Sequence, residues 1–300
     1  MKKLLYILLF VPIAMFGQEN YSLDFTNNTI DYVAIDSGLE FQSLESVSFV
    51  VKTKKQAEIS FWDGAIFDIS DGECDNCWSN RYSLGIENNE VNFGLEGTSS
   101  PGGSVSSGIH QIEGEWVYIV IIGDVILNEV RMYLNGNLVG SEQLSNSENL
   151  FSLGTGNDNS KILGKRSSLT PFSREFHGFI DEFHIWDKPL SNNEIQEYMM
   201  CNPSGNEEGL IAYWSFNEGS GDTAYDLSGN GNHGVIYDVA YSEDVPEDNC
   251  DDSSLNELSI IDQLNQSFDA WNISIDLSAG WNMFGYGCPT SIDVAEGLSN

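Results

Sequence analysis

The chain has 300 residues, and 46 acidic against 12 basic side chains give it a formal charge of −34. Neutralising phosphates needs clustered Lys and Arg, so this balance excludes a general nucleic-acid binder and adhesion to anionic lipid. Apolar residues at 41% and aromatics at 12% are enough for a packed core and too many for a disordered acidic tail.

Met1, Lys2 and Lys3 form a basic start, Leu4 to Phe16 an apolar run, and Gly17 a small residue. This pattern predicts a secretory signal peptide over residues 1–17, cleaved between Gly17 and Gln18, and hence a secreted or surface-exposed protein. The apolar run is too short to span a bilayer, and no later stretch approaches ~18 apolar residues, so no transmembrane segment is expected. Cleavage removes two lysines and moves the charge from −34 to −36.

The middle of the chain reads as strands. Val47, Phe49 and Val51 recur with a period of two. Tyr82, Leu84 and Ile86 alternate, Asn88 and Asn89 make a turn, and Val91, Phe93 and Leu95 resume the alternation, which predicts a hairpin. Trp116 to Ile122 is apolar on both faces, as a central strand requires. Val130 to Leu134, the turn around Asn135 and Gly136, and Leu138 with Val139 form a second hairpin. Phe179 to Trp186 is a further strand. Many short strands with Gly-rich turns predict an all-β, two-sheet antiparallel sandwich.

Two short helices follow. Ser191 with Glu194 is a capping box ahead of Ile195, Tyr198 and Met199, and this helix is expected to end the main body just before Cys201. Ser254 with Glu257 repeats the signal in an acidic region, so residues 253–300 read as a linker helix and the truncated start of another module. Residues 189–300 hold 20 acidic side chains and no Lys or Arg. Such a stretch is either a solvated surface or a source of hard oxygen ligands for Ca²⁺.

Export predicts that cysteines pair. Cys74 and Cys77 stand in a polar loop with no second C-x-x-C to complete a zinc site, which leaves a local Cys74–Cys77 disulfide. Cys201 and Cys250 flank 48 residues and are expected to close them. Cys288 is left over.

Several short motifs carry a family resemblance. They are Ser22-Leu23-Asp24-Phe25 with Asp31 to Ile35, Gly114-Glu115-Trp116, Met132-Tyr133-Leu134-Asn135-Gly136, and Phe176 to Trp186 with its Phe-His-Gly-Phe-Ile-Asp-Glu opening. In this order they resemble the laminin-G-like domains of the concanavalin A-like jelly-roll superfamily, over roughly residues 20–200. The resemblance implies a jelly roll whose first motif group is an early strand pair. One departure stands out. A strand of the type Gly209-Leu210-Ile211-Ala212-Tyr213-Trp214, followed by a loop such as Asp226 to Gly234, normally precedes the body and here follows it. An apolar stretch such as Ile211 to Phe216 is costly to leave exposed, so this displaced segment is expected to fold back and supply a missing strand, giving one domain over 18–252. The alternative is the remnant of a second repeat.

The catalytic signature of jelly-roll glycosidases, E-x-D-x-x-E on one strand face, is absent. The one Glu-x-Asp, Glu73 to Asp75, has Trp78 where the second Glu would stand. No G-x-S-x-G occurs, and His184, alternating with Glu182 and Trp186, reads as a sheet-surface side chain. The resemblance nominates Asp181 as a structural Ca²⁺ ligand. Asp226, Asn230 and Asn232 could add oxygens, or could simply make turns with Gly229 and Gly231. Trp116 and Trp214 lie within apolar strands and read as core. Trp62, Trp78 and Tyr82 are the candidates for stacking on a sugar ring, against an alternative of core or loop packing.

These readings favour a secreted, non-catalytic binding or adhesion module directed at a polysaccharide, a cell-surface glycan or a surface protein. A carbohydrate-active enzyme (an O-glycosyl hydrolase) or its accessory domain is the alternative, and a structural spacer is the third.

Overall fold

The computed structural model describes residues 20–26, 31–35, 39, 41, 44–56, 64–70, 81–96, 104–144, 160–165, 175–247 and 250. The chain divides into two units, Met1–Asn249 and Cys250–Asn300. The described residues belong to the first unit, apart from Cys250. The predicted signal peptide, the Cys74–Cys77 pair, the helix after Ser254 and Cys288 lie outside them.

In the described residues, sixteen strands and one helix form two eight-stranded sheets, each strand pairing antiparallel with its neighbours. The first sheet contains β1 (Ser22–Asp24), β3 (Ser46–Lys55), β8 (Trp116–Asp124), β9 (Glu129–Leu134), β10 (Asn137–Gln143), β12 (Gly178–Trp186), β13 (Leu210–Trp214) and β16 (Ala240–Ser242). Its order is β10-β9-β8-β3-β12-β1-β16, with β13 also on β12. The second sheet contains β2 (Tyr32–Ile35), β4 (Ala65–Ser70), β5 (Arg81–Glu87), β6 (Glu90–Glu96), β7 (Ser104–His110), β11 (Ser160–Leu163), β14 (Thr223–Ala224) and β15 (Gly234–Tyr237), in the order β14-β15-β2-β11-β4-β5-β6-β7.

Alternation along each strand builds the core between the sheets. Phe49, Val51, Ile119, Ile121 and Ile185 face it from the first sheet, and Val33, Phe67, Leu84 and Phe93 from the second. Both predicted hairpins form. Asn88 and Asn89 take φ of 51° and 66°, and Asn135 and Gly136 take 47° and 76°. Two consecutive left-handed residues suit the twist of the flanking strands, and Asn and Gly reach that region at least cost. The helix α1 (Asn192–Met200) starts at Ser191, whose hydroxyl accepts from the Glu194 N–H while the Glu194 carboxylate accepts from the Ser191 N–H. Its Ile195 and Tyr198 cover Val50, Tyr118, Val120, Tyr133 and Trp186 on the outer face of the first sheet. This cover explains why β8 is apolar on both faces.

The segment after the helix is part of the sandwich. Phe183, His184 and Ile185 pair with Trp214, Tyr213 and Ala212. β15 pairs with β2 over four residues, and β16 pairs with β1. These residues supply strands to both sheets. Two expectations need correction. Ser22–Asp24 and Tyr32–Ile35 are not partners, because they enter opposite sheets. The helix does not close the body, because four strands follow it. Cys201 and Cys250 are disulfide-bonded.

Candidate functional site

The sequence-nominated residues scatter. Trp62 and Trp78 lie outside the described residues, as do Glu73 and Asp75. Tyr82 is 3% exposed, with its ring packed parallel to Phe93 and against Phe41 and Phe49. It points inward because it shares a face with Leu84 and Ile86, so its ring is a core element and offers no face to a sugar.

The loop after β14 is built as a turn. Asp226 Oδ1 accepts from the N–H groups of Tyr213 (3.0 Å) and Ser228 (2.9 Å), and Oδ2 accepts from that of Asn232 (2.8 Å). The side-chain amides of Asn230 and Asn232 donate to the Ile211 carbonyl at 3.1 and 2.9 Å. The Asn232 carbonyl accepts from the Trp214 indole at 2.9 Å. One buried carboxylate thus pins the loop onto β13. Asp181 is buried on β12, where Oδ1 accepts from the Glu182 N–H at 2.9 Å. Among the described residues, no group of three or more His, Cys, Asp or Glu side chains is placed to hold a metal. The Asp226 carboxylate accepts from backbone N–H groups and the two amides donate their nitrogens to the chain, so these three side chains build the turn.

A second polar cluster lies under α1. Contrary to the expectation of a surface position, His184 is 1% exposed, with Tyr198 of the helix and Tyr213 of β13 at its edges. Its Nδ1 accepts from the Trp186 indole at 2.7 Å. Burial, with the Lys52 ammonium nearby, holds the imidazole well below its ordinary pKa, so it stays neutral. Glu182 sits at φ 51° where the pairing of β12 with β3 shifts register, and it accepts from the Tyr213 hydroxyl at 2.6 Å. All of this is closed to solvent, and helix cover makes it a packing device.

The open feature is on the second sheet. Ile236 faces the core, so Val235 and Tyr237 face outward. Tyr32, in register with Tyr237, faces the same way, and the two rings stack at 4.4 Å and 14°. Lys165, only 7% exposed, holds its ammonium 4.1 Å from the centre of the Tyr32 ring. Burial pushes its pKa down, against the opposing pull of Glu175. At the other end of β15, Tyr225 and His233 meet edge to face at 5.4 Å. Tyr237 is 40% and Tyr225 53% exposed, and His233 is exposed as well. Four residue-to-residue steps of extended chain lead from His233 to Tyr237, about 13 Å. The result is an aromatic stripe along β15 with an aromatic pair at each end. None of its aromatic residues is a tryptophan, the residue type that most often marks a sugar-stacking face in a sequence. The alternation of His233, Val235 and Tyr237 was the available signal.

Positive charge is nearly absent from the described surface. Lys52, Lys55, Lys161 and Lys165 are buried. Lys54, Lys188 and Arg131 stand 2.6, 2.7 and 3.8 Å from Asp244, Glu194 and Glu129.

A family model described as the concanavalin A-like lectin/glucanases superfamily, of laminin-G type, matches residues 26–196, more than half of the chain. The chain belongs to this superfamily. The match ends within α1, so β13 to β16 are strands of the sandwich outside the region that the superfamily model covers. Two solved structures are similar to this chain in fold. A Bacteroides ovatus protein provisionally assigned as carbohydrate-binding has a TM-score of 0.57 at 15% identity, covering 77% of this chain. This chain spans 62% of that protein's length. The native heptameric SAP-like pentraxin of Limulus polyphemus has a TM-score of 0.51 at 15% identity, covering 75% of this chain and 95% of its own. No curated protein matches the chain.

Proposed function

We propose that this protein is an exported, non-catalytic carbohydrate-binding module whose glycan lies along the β15 stripe. The carrying observation is the pair of exposed aromatic clusters, Tyr32–Tyr237 and Tyr225–His233, at the two ends of one strand. Pyranose rings present apolar C–H faces that pack on aromatic faces, while hydroxyls stay hydrated or reach polar rims. A stripe about 13 Å long suits a short run of sugars better than one ring. The superfamily assignment is compatible with this reading, and the basic and apolar start of the chain supports export. The carbohydrate-binding assignment of the B. ovatus neighbour points the same way.

The test is a glycan array probed with the full chain, its Tyr237→Ala variant and its Tyr225→Ala variant, each checked for an unchanged melting temperature. Binding that weakens in both variants is expected. Failure to bind any glycan, or binding indifferent to both substitutions, overturns the proposal.

A further inference from the structure

The stripe's electrical setting narrows its ligand. We infer that the β15 face selects neutral polysaccharide chains and rejects polyanionic ones; this rests on the proposed glycan-binding reading and deepens it. Among the described residues, the cation held against the stripe is Lys165, which is buried and engaged with the Tyr32 ring. It therefore supports the platform from within the fold and presents no charge to a ligand. Exposed Asp222 immediately precedes the strand paired with β15, and exposed Asp238 immediately follows Tyr237.

The whole molecule reinforces this local sign. Its formal charge is −34, and every described cationic side chain is either buried or set against a carboxylate. A carboxylated or sulfated chain approaching the stripe meets a repulsive field at low ionic strength, with no exposed, unpaired Lys or Arg among the described side chains to pair with its anionic groups. A neutral chain meets only aromatic faces and a polar rim. Stacking of this kind is not screened by salt, whereas contact with a polyanion is governed by it.

The experiment compares soluble neutral probes (laminarin, xyloglucan and cellohexaose) with polyanionic probes (alginate, polygalacturonate and a sulfated galactan). The full chain is titrated by calorimetry at about 0.02 M and about 0.5 M NaCl, a range over which the screening length falls several-fold. The expected result is binding to at least one neutral probe with less than a twofold change in Kd across that range. No polyanion binds at low salt, and Tyr237→Ala weakens the neutral complex roughly three- to tenfold. Binding of a polyanion at low salt that is lost in Tyr237→Ala overturns the selectivity while leaving the stripe as the glycan site. Neutral binding that ignores both Tyr225→Ala and Tyr237→Ala overturns the site itself, and the selectivity with it.

Discussion

Trp186 donates its indole N–H to Nδ1 of His184 at 2.7 Å, in a pocket closed by Tyr198 of α1 and Tyr213 of β13. Burial disfavours a charge on this ring and the Lys52 ammonium repels one, which is why the folded imidazole resists protonation. The unfolded chain takes up that proton near pH 6.5, and the folded chain only at lower pH. Stability is therefore fully present above about pH 6.5 and declines as pH falls below it. Urea unfolding of the wild type and of His184→Gln, from about pH 7.5 down to about pH 5, should show a shallower acid decline in the variant. The variant should also be weaker overall, by about 1–3 kcal/mol. Equal acid slopes would show that His184 is not the titrating group.

Asp226 organises the returning segment through three backbone N–H groups. Asp226→Ala leaves these donors without their acceptor, and the expected loss is roughly 2–4 kcal/mol. Asp226→Asn, with one acceptor oxygen, should fall between. A chelator should leave the wild-type melting temperature unchanged, because the carboxylate works as a turn pin. A downward shift on chelation, restored by Ca²⁺, would instead assign the loop to a cation.

The Cys201–Cys250 bond closes a segment of 48 residues. In the chain-entropy picture its removal costs about 4 kcal/mol. Unfolding midpoints with and without a reductant, and for the Cys201→Ser, Cys250→Ser double variant, should drop together. A midpoint that does not move would show that the reduced chain keeps the segment ordered by strand pairing alone.

Glu194 closes the capping box of α1. Burial pushes its carboxyl up, but hydrogen bonds from Lys188 and Ser191 outweigh this and hold it below its ordinary value. The contribution is thus complete above the usual carboxylate range and is lost as pH falls through the lowered folded value. Glu194→Ala should cost about 1 kcal/mol at neutral pH and less in acid, read by urea unfolding at both pH values. The ion pair with Lys188 is partly exposed and adds little to that figure.

Strand positions were legible wherever one face meets the core and the other does not. The Tyr82–Leu95 hairpin and the Asn135-Gly136 turn follow from period-two alternation and from residues able to reach positive φ. The helix start at Ser191 was legible too, because capping chemistry is local. Sheet membership was not. The pattern of Ser22 to Ile35 is the same whether its two strands pair with each other or with distant partners, and only tertiary pairing decides. His184 failed for a related reason. Alternation places it opposite the inter-sheet core, but a helix later in the chain turns that outer face into an interior. Tyr82 could have been placed from its own alternation with Leu84 and Ile86. The stripe was hidden because its parts, Tyr32 and the residues of β15, lie about 200 positions apart and meet only through the register of β2 with β15.

One edge of β12 is shared end to end by two strands from opposite parts of the chain. Leu23 and Asp24 occupy its first half and residues 210–214 its second, and β16 then locks onto β1. During synthesis, the second half of this edge stays open until residues 210–214 have been made, and the outer side of β1 until residues 240–242 have. An expression boundary drawn at residue 196, where the family match ends, would release a sandwich with half of one β12 edge bare and with β1 open on its outer side. Such a fragment is built to aggregate.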